Sequence, residues 1–190
     1  TVVDSNIKNM TILNADYGLY VENTSSQGFD TLYPTLCGVG IFVQNSSNLT
    51  LTNCQAYYSV NGMIAINTHL FELKTPGCAG NSDSGMSLSY CTNGSINNGF
   101  ILGNGSNGVE YDTCQNISFS GTVLSNVGDG ILITDSSDCG TGTTALEGNG
   151  GNGVSLVNSD RIGTNLCSIA YNVGYGVNIA ADCNDAMVIG

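Results

Sequence analysis

Three aspartates, Asp135, Asp138 and Asp160, have the type and spacing that acid–base chemistry would need. Two carboxyl groups can act as acid and base on a glycosidic bond when they lie about 5 to 9.5 Å apart. Aspartate is also an ordinary turn residue, and the sequence places no groove or proton acceptor beside these three. We therefore predict no catalytic residue and keep polysaccharide cleavage as an alternative.

The other polar residues argue against several classes of function. Lys8, Lys74 and Arg161 are the three basic residues against fifteen acidic ones, and they fall at different offsets in the chain. A net charge of −12 without a basic cluster predicts no nucleic-acid partner. The single histidine, His69, and the lack of a C-x-x-C pair predict no metal site and no cofactor. No apolar stretch approaches the roughly 20 residues of a membrane helix, so we predict no membrane insertion.

A repeat of 22 or 23 residues runs through the chain and must position whatever side chains act. It is marked by a glycine that precedes an apolar-any-apolar triplet. The repeats start near Gly18, Gly40, Gly62, Gly85, Gly108, Gly130, Gly153 and Gly176. A fixed period of this length is typical of a solenoid.

The triplet after each glycine predicts a short strand with one buried face. Its first and third residues are apolar in all eight repeats, as in Val109 and Tyr111 or Ile131 and Ile133. Such alternation is typical of a strand, and helical periodicity is absent. We predict an all-β chain that forms a single-domain right-handed parallel β-helix over 1–190, with about eight coils of 22–23 residues.

An asparagine stands four residues before the glycine in six of the eight repeats. Because equivalent positions stack in a solenoid, these side chains predict a hydrogen-bonded ladder at one corner. The predicted ladder contains Asn14, Asn81, Asn104, Asn126, Asn149 and Asn172.

The N-x-x-x-G-apolar-x-apolar unit, which covers Asn14 to Ile179, resembles the right-handed parallel β-helix proteins, both pectin-lyase-like enzymes and NosD-type repeat proteins. The resemblance implies the fold, which hosts lyases, hydrolases, adhesins and structural proteins. The G-H-G, D-D and N-T-D motifs of the polygalacturonase-like hydrolases are missing, and "DRIG" at Asp160 lacks their lysine. The nearly constant period also leaves no inserted loop to wall a cleft.

The eight cysteines predict disulfides and an oxidising compartment, with buried free thiols as the alternative. Cys91 and Cys114 share one offset in neighbouring repeats, so their Cα atoms should lie about 5 Å apart, within disulfide range. Cys54 and Cys78 form a weaker candidate pair. The remaining four have no assigned partner and could cross-link chains: Cys37, Cys139, Cys167 and Cys183.

The predicted outer surface suggests two further sets of sites. Tyr20, Phe42 and Ile64 occupy the outward position of consecutive repeats and predict an exposed apolar column that packs against another copy. Among the N-x-Ser/Thr sequons, Asn23 and Asn45 are the better glycosylation candidates because they lie just beyond strands.

Together these features predict a non-enzymatic extracellular or cell-surface structural protein. We expect it to self-assemble into a filament, tube or sheath, because both ends have strand-like sequences and the chain carries an apolar column and unassigned cysteines. The main predicted partner is another copy of the chain, and glycans or the cell envelope are further possible partners. In general character the chain is similar to the sheath proteins of methanogenic archaea. The alternatives are a carbohydrate-binding or carbohydrate-cleaving β-helix module and an adhesin fragment.

Overall fold

The computed structural model describes residues 6–165 and 167–189, and every regular element within these ranges is a β-strand. The first ten strands are β1 (Asn6–Leu13), β2 (Tyr17–Glu22), β3 (Ser25–Thr35), β4 (Val39–Gln44), β5 (Ser47–Thr52), β6 (Gln55–Tyr57), β7 (Asn61–Ile66), β8 (His69–Lys74), β9 (Gly77–Ala79) and β10 (Met86–Ser89). The second ten are β11 (Thr92–Leu102), β12 (Val109–Asp112), β13 (Gln115–Leu124), β14 (Ile131–Thr134), β15 (Gly140–Glu147), β16 (Val154–Val157), β17 (Gly163–Asn165), β18 (Cys167–Ala170), β19 (Val177–Ile179) and β20 (Met187–Ile189).

These strands wind into a parallel β-helix with three faces. Face 1 is an 8-stranded sheet of β2, β4, β7, β10, β12, β14, β16 and β19. A 12-stranded sheet bends to give the other two faces. Face 2 includes β5, β8 and β17, and face 3 includes β6, β9 and β18, while β3, β11, β13 and β15 run through the bend. The eight strands of face 1 correspond to the eight predicted coils, so the predicted fold class is confirmed.

The face 1 register stacks the predicted apolar positions coil upon coil. Val109 pairs with Ile131, and Tyr111 pairs with Ile133. Nearly all of these side chains are buried against apolar residues from face 2, such as Phe119. Ala65 and Val177 are partly buried, and Ile179, in the last strand of face 1, is 45% exposed. Burial of this shared column is the main favourable term in the fold.

The corners of each coil are formed by residues in the left-handed region. Many of these are asparagines, such as Asn45 (φ 48°), Asn67 (φ 48°) and Asn116 (φ 55°). Asparagine tolerates this conformation better than most residues because its short side chain bonds locally. The corners therefore account for much of the asparagine in the sequence.

The repeated glycine is required by close packing between coils. A Cβ at Gly108 would lie 2.6 Å from the carbonyl oxygen of Gly130, and a Cβ at Gly130 would lie 2.6 Å from that of Gly153. None of the eight repeat glycines is among the residues of positive φ. Only glycine lets the backbones of successive coils approach this closely.

The asparagine ladder is present at the corner between face 3 and face 1. The Oδ1 atom of Asn104 accepts from Asn81 Nδ2 at 2.9 Å and from the backbone N–H of Asn81 at 3.1 Å. The Nδ2 atom of Asn104 donates to Asn126 Oδ1 at 2.8 Å and to the Cys78 carbonyl oxygen at 3.1 Å. The same pattern continues through Asn149 to Asn172.

Asn14 does not belong to this ladder, so that part of the prediction is wrong. In the first coils the turn is one residue shorter, and the ladder position falls three residues before the glycine. There Ser59 donates its backbone N–H to Asn81 Oδ1 at 2.9 Å, and Cys37 donates its N–H to Ser59 Oγ at 3.1 Å. Asn14 is instead an exposed left-handed corner residue with φ 54°.

A second ladder of small polar residues lies at the corner between face 1 and face 2. The backbone N–H of Cys114 donates to Ser136 Oγ at 3.0 Å, and that of Ser136 donates to Ser159 Oγ at 3.1 Å. The N–H of Ser159 meets Cys183 Sγ at 3.5 Å. Serine and cysteine are therefore interchangeable acceptors at this position of the coil.

Candidate functional site

A shallow groove with several polar side chains lies on face 2. It crosses β13, β15 and β17 and has a volume of about 450 Å³. We call it the face 2 groove. The residues that line it are Asn116, Ile117, Ser118, Asp138, Cys139, Gly140, Thr141, Gly142, Arg161, Gly163 and Asn165.

The floor of the groove exists because outward positions of face 2 hold glycine. In the outward column Ser118 pairs with Gly140, and Gly140 pairs with Gly163, where earlier coils carry Thr50 and Glu72. A Cβ at Gly163 would meet nothing closer than Asn165 Nδ2 at 3.6 Å. A Cβ at Gly140 would instead lie 2.3 Å from the carbonyl oxygen of Gly163, so glycine is required there by close packing. The depression thus needs no inserted loop.

One wall of the groove carries a bidentate ion pair. Arg161 donates from Nε to Asp138 Oδ1 at 2.6 Å and from Nη2 to Asp138 Oδ2 at 2.8 Å. Hydrogen bonding to Arg161 lowers the pKa of Asp138 below its ordinary value. The carboxylate therefore stays ionised near neutral pH, and the remaining guanidinium N–H groups can bind a ligand.

Asn165, which also lines the groove, has an amide with an unused acceptor. The Oδ1 atom of Asn165 is buried and has no hydrogen-bond partner within the described residues. Its Nδ2 atom leans toward the empty space above Gly163. A buried acceptor without a partner costs free energy, which a hydroxyl donor from a ligand would recover.

The three aspartates singled out in the sequence meet at the corner that leads into this groove. The backbone N–H of Asp138 donates to the carbonyl oxygen of Asp160 at 3.1 Å. Their carboxylates have different partners, since Asp135 accepts from Asn158 and Asp160 accepts from Asn184 Nδ2 at 3.0 Å. The sequence analysis thus located the corner but missed Arg161, Asn165 and the glycine floor.

The three basic residues, dispersed in the sequence, share face 2. Lys8 lies beside Asp30 at 3.8 Å, and Lys74 lies beside Glu72 at 3.0 Å. Lys8 pairs in register with Asp30, whose column continues through Thr52 to Lys74. Arg161 leads into β17 on the same face. Every Lys and Arg side chain is therefore paired with a carboxylate on face 2.

The cysteines are free thiols in this structure. Cys91 and Cys114 occupy equivalent positions in adjacent coils, as predicted, and hydrogen bonding to Cys114 together with burial raises the pKa of Cys91. Their disulfide stays a prediction. The pairing of Cys54 with Cys78 is wrong, because Cys78 lies opposite Ala56 and a two-residue offset separates the Cα atoms by about 8 Å.

The remaining cysteines have been located as well. Burial raises the pKa of Cys78 and of Cys139 to about 12. Cys37 is buried in the asparagine-ladder column, while Cys167 and Cys183 are half-buried. Pairing of these cysteines between chains stays untested.

The register assembles the predicted outward column, since Tyr20 pairs with Phe42 and Phe42 pairs with Ile64. The glycosylation candidates, Asn23 and Asn45, are exposed left-handed corner residues, and their modification stays a prediction. A void inside the core measures only about 10 Å³, which leaves no room for an organic ligand. No group of residues suited to hold a metal ion occurs in the described ranges, and these ranges contain no helix able to cross a membrane.

Both the fold and the repeat place the chain in a family. A model of the right-handed β-helix region matches residues 2–141 and 35–190, so the chain belongs to this family. A sequence comparison with curated proteins finds no significant match.

Several solved structures share the fold at low sequence identity. A double mutant of the periplasmic alginate epimerase AlgG is 15% identical with a TM-score of 0.84, covering 98% of this chain and 51% of that one. The A-module of mannuronan C-5 epimerase AlgE6 from Azotobacter vinelandii is 12% identical with a TM-score of 0.72, covering 96% and 57%. Tailspike protein 2 of Escherichia coli O157:H7 bacteriophage CAB120 is 11% identical with a TM-score of 0.61, covering 97% and 38%. The chain thus spans between 38% and 57% of the length of these structures.

These comparisons overturn the prediction of a non-enzymatic, self-assembling structural protein. The epimerases among the structures of the same fold are enzymes that act on alginate or mannuronan. The prediction rested on the missing insertions, on the assumption that only long loops can wall a cleft. A depression also forms on face 2 without an inserted loop, where outward positions hold glycine, so that assumption does not hold for this chain.

Proposed function

We propose that this chain is the β-helix domain of a carbohydrate-active enzyme and that the face 2 groove binds its polysaccharide. The observation that carries the proposal is that the unpartnered Asn165 Oδ1 belongs to the same glycine-floored groove as the Arg161–Asp138 pair. The activities named for AlgG and AlgE6, proteins of the same fold, support it.

The groove offers the chemistry that sugar hydroxyls require. Arg161 supplies N–H donors, the ionised Asp138 supplies acceptors, and Asn165 supplies an amide acceptor. A site that is built to bond hydroxyl groups rejects ligands that lack them, because its buried polar atoms are then left unpaired. The glycine floor lets a sugar ring approach the backbone of β15 and β17.

The corner beside the groove supplies candidate acid–base groups. Hydrogen bonding to Arg161 keeps Asp138 ionised. The carboxylate can therefore position the guanidinium group and accept hydrogen bonds from sugar hydroxyls. Asp160 lies one coil on, where its Oδ1 accepts from the backbone N–H and from Nδ2 of Asn184, and it is the candidate that we propose for proton transfer. We also propose a periplasmic or extracellular location, in keeping with the periplasmic epimerase of the same fold.

The test is a panel of neutral and acidic polysaccharides, assayed for binding by affinity electrophoresis and for turnover by product analysis. We expect Arg161→Ala to weaken binding of the preferred polysaccharide about tenfold or more, because hydrogen bonds to charged groups contribute about 1.5–3 kcal/mol. Lys74→Ala is the matched control, since it removes a paired cation from the same face outside the groove. Equal binding by both variants would exclude the groove.

Turnover separates an enzyme from a binding module. We expect product formation that is lost in Asp160→Asn and kept in Asp83→Asn, an acidic residue at another corner of the coil. Tight binding without turnover of any polysaccharide in the panel would contradict the enzymatic part of the proposal.

A further inference from the structure

A cluster of aromatic rings on face 1 lies on a different face from the groove. Tyr20 and Phe42 are stacked with ring centroids 5.3 Å apart and planes 8° apart. Tyr17 lies edge-on to both, at 5.2 Å from Tyr20 and 5.4 Å from Phe42. We call these three rings the aromatic platform. Tyr17 and Tyr20 remain 45% and 47% exposed, although burial of a ring is ordinarily favourable.

A polar fork fixes the edge of the platform. Gln44 Nε2 donates to Tyr20 Oη at 2.9 Å and to Glu22 Oε1 at 2.7 Å. Tyr20 Oη donates in turn to Glu22 Oε2 at 3.1 Å. The carboxylate of Glu22 has about four acceptor positions, of which two are used by these bonds. An exposed ring is thus held rigidly beside free acceptors.

We propose that the aromatic platform binds a neutral sugar unit, as a second saccharide site separate from the face 2 groove. A pyranose ring has an apolar C–H face that stacks on an aromatic ring and an edge of hydroxyls that donate to acceptors. The platform provides both features side by side, with the ring of Tyr17 or Tyr20 for the face and Glu22 for the hydroxyls.

The charge and the extent of the patch favour a neutral sugar over other occupants. The chain carries a net charge of −12, so a second copy or an acidic polysaccharide would be repelled at Glu22. The apolar column also ends early, because Ser87 and Glu110 follow Ile64 in the register. A patch of three rings and one isoleucine is small for a protein interface, which ordinarily buries about 800 Å² on each partner.

The test uses neutral gluco-, manno- and galacto-oligosaccharides, with an acidic uronic-acid oligosaccharide as comparison, in saturation-transfer NMR with the intact chain. The chain has no Trp, so its 9 Tyr and 5 Phe give a small set of aromatic signals. We expect contacts from the C–H groups of one neutral sugar to the rings of Tyr17 and Tyr20, and no such contacts for the acidic one.

Variants separate recognition from a structural role of the rings. We expect Tyr20→Ala and Tyr17→Ala each to weaken binding about tenfold, and Tyr20→Phe, which keeps the ring and loses the fork, to weaken it a few-fold. Tyr58→Ala is the control, because this tyrosine is 66% exposed next to face 3. Thermal unfolding of each variant identifies any that fails to fold, and Tyr17→Ala then replaces Tyr20→Ala.

The outcomes also distinguish this site from the groove. Arg161→Ala should leave the neutral-sugar contacts at Tyr20 unchanged, whatever its effect on polysaccharide binding. Absence of contacts at both tyrosines, equal losses in Tyr20→Ala and Tyr58→Ala, or dimerisation that Tyr20→Ala abolishes in sedimentation would each overturn the proposal.

Discussion

The asparagine ladder and the face 2 groove lie in the same later coils of the molecule. The residue type is repeated from coil to coil in the ladder, whereas it changes in the groove. In the ladder the same residue recurs from Asn81 to Asn172, and each amide bonds the coils on both sides. In the groove the outward column changes from Thr50 and Glu72 to Gly140 and Gly163. Repetition at buried corners stabilises the solenoid, whereas departure from repetition on face 2 leaves the groove that we propose as a binding site.

The largest expected loss of stability is that of Asn104→Ala, in the middle of the asparagine ladder. The change removes two acceptor and two donor bonds and leaves the buried backbone N–H of Asn81 without its acceptor. We expect a loss of about 3 kcal/mol in the free energy of unfolding, measured by urea denaturation. Asn14→Gly is the control and should change stability by less than about 0.5 kcal/mol, because Asn14 is exposed and glycine adopts its left-handed conformation. Similar losses in both variants would mean that the ladder hydrogen bonds do not stabilise the fold more than an exposed corner residue does.

A second substitution adds a side chain in the face 2 groove and leaves the asparagine ladder unchanged. Gly163→Val places a side chain where a Cβ meets nothing closer than 3.6 Å, so the fold should tolerate it. We expect polysaccharide affinity to fall about tenfold, which corresponds to about 1.4 kcal/mol, with an unchanged unfolding midpoint. Gly28→Val is the matched control, since Gly28 lies in the same outward column and its Cβ position is also open. Retained binding in Gly163→Val would exclude the groove as the binding site.

The smallest expected effect concerns Cys114 in the second ladder. Because Ser136 and Ser159 occupy the same corner in the next coils, Cys114→Ser should cost less than about 1 kcal/mol. A disulfide between Cys91 and Cys114 would instead make the loss about 2–4 kcal/mol. Urea denaturation with and without reductant distinguishes the two outcomes, and peptide mass spectrometry under non-reducing conditions identifies any bond directly.

The interior of the solenoid was predictable from sequence because stacking imposes one constraint on every coil. The apolar pair of each triplet and the glycine column had to recur, since each packs on its own equivalent in the next coil. The same logic failed for Asn14 and for Cys54 with Cys78, where a one-residue or two-residue shift moves the partner. A shift of one residue is enough to turn a strand side chain to the other face.

The groove was not predictable in this way. Three of the 26 glycines, Gly140, Gly142 and Gly163, line the groove. They do so because they occupy outward positions in adjacent strands, which the sequence alone does not reveal. Arg161 and Asp138 lie 23 residues apart, and their contact follows from being equivalent corner residues of successive coils. The unpaired oxygen of Asn165 has no signature in the sequence.

By itself the sequence determined the coil, its period of 22 or 23 residues, its buried face and most of its asparagine ladder, because these depend on the repeat of residue types along one chain. Only the tertiary structure decided that the three basic residues share face 2, that glycine floors a groove there, and that Tyr17 joins the predicted neighbours Tyr20 and Phe42 in a platform on face 1. The physical reason is that outward side chains meet across coils, where small differences in turn length set which residues become neighbours.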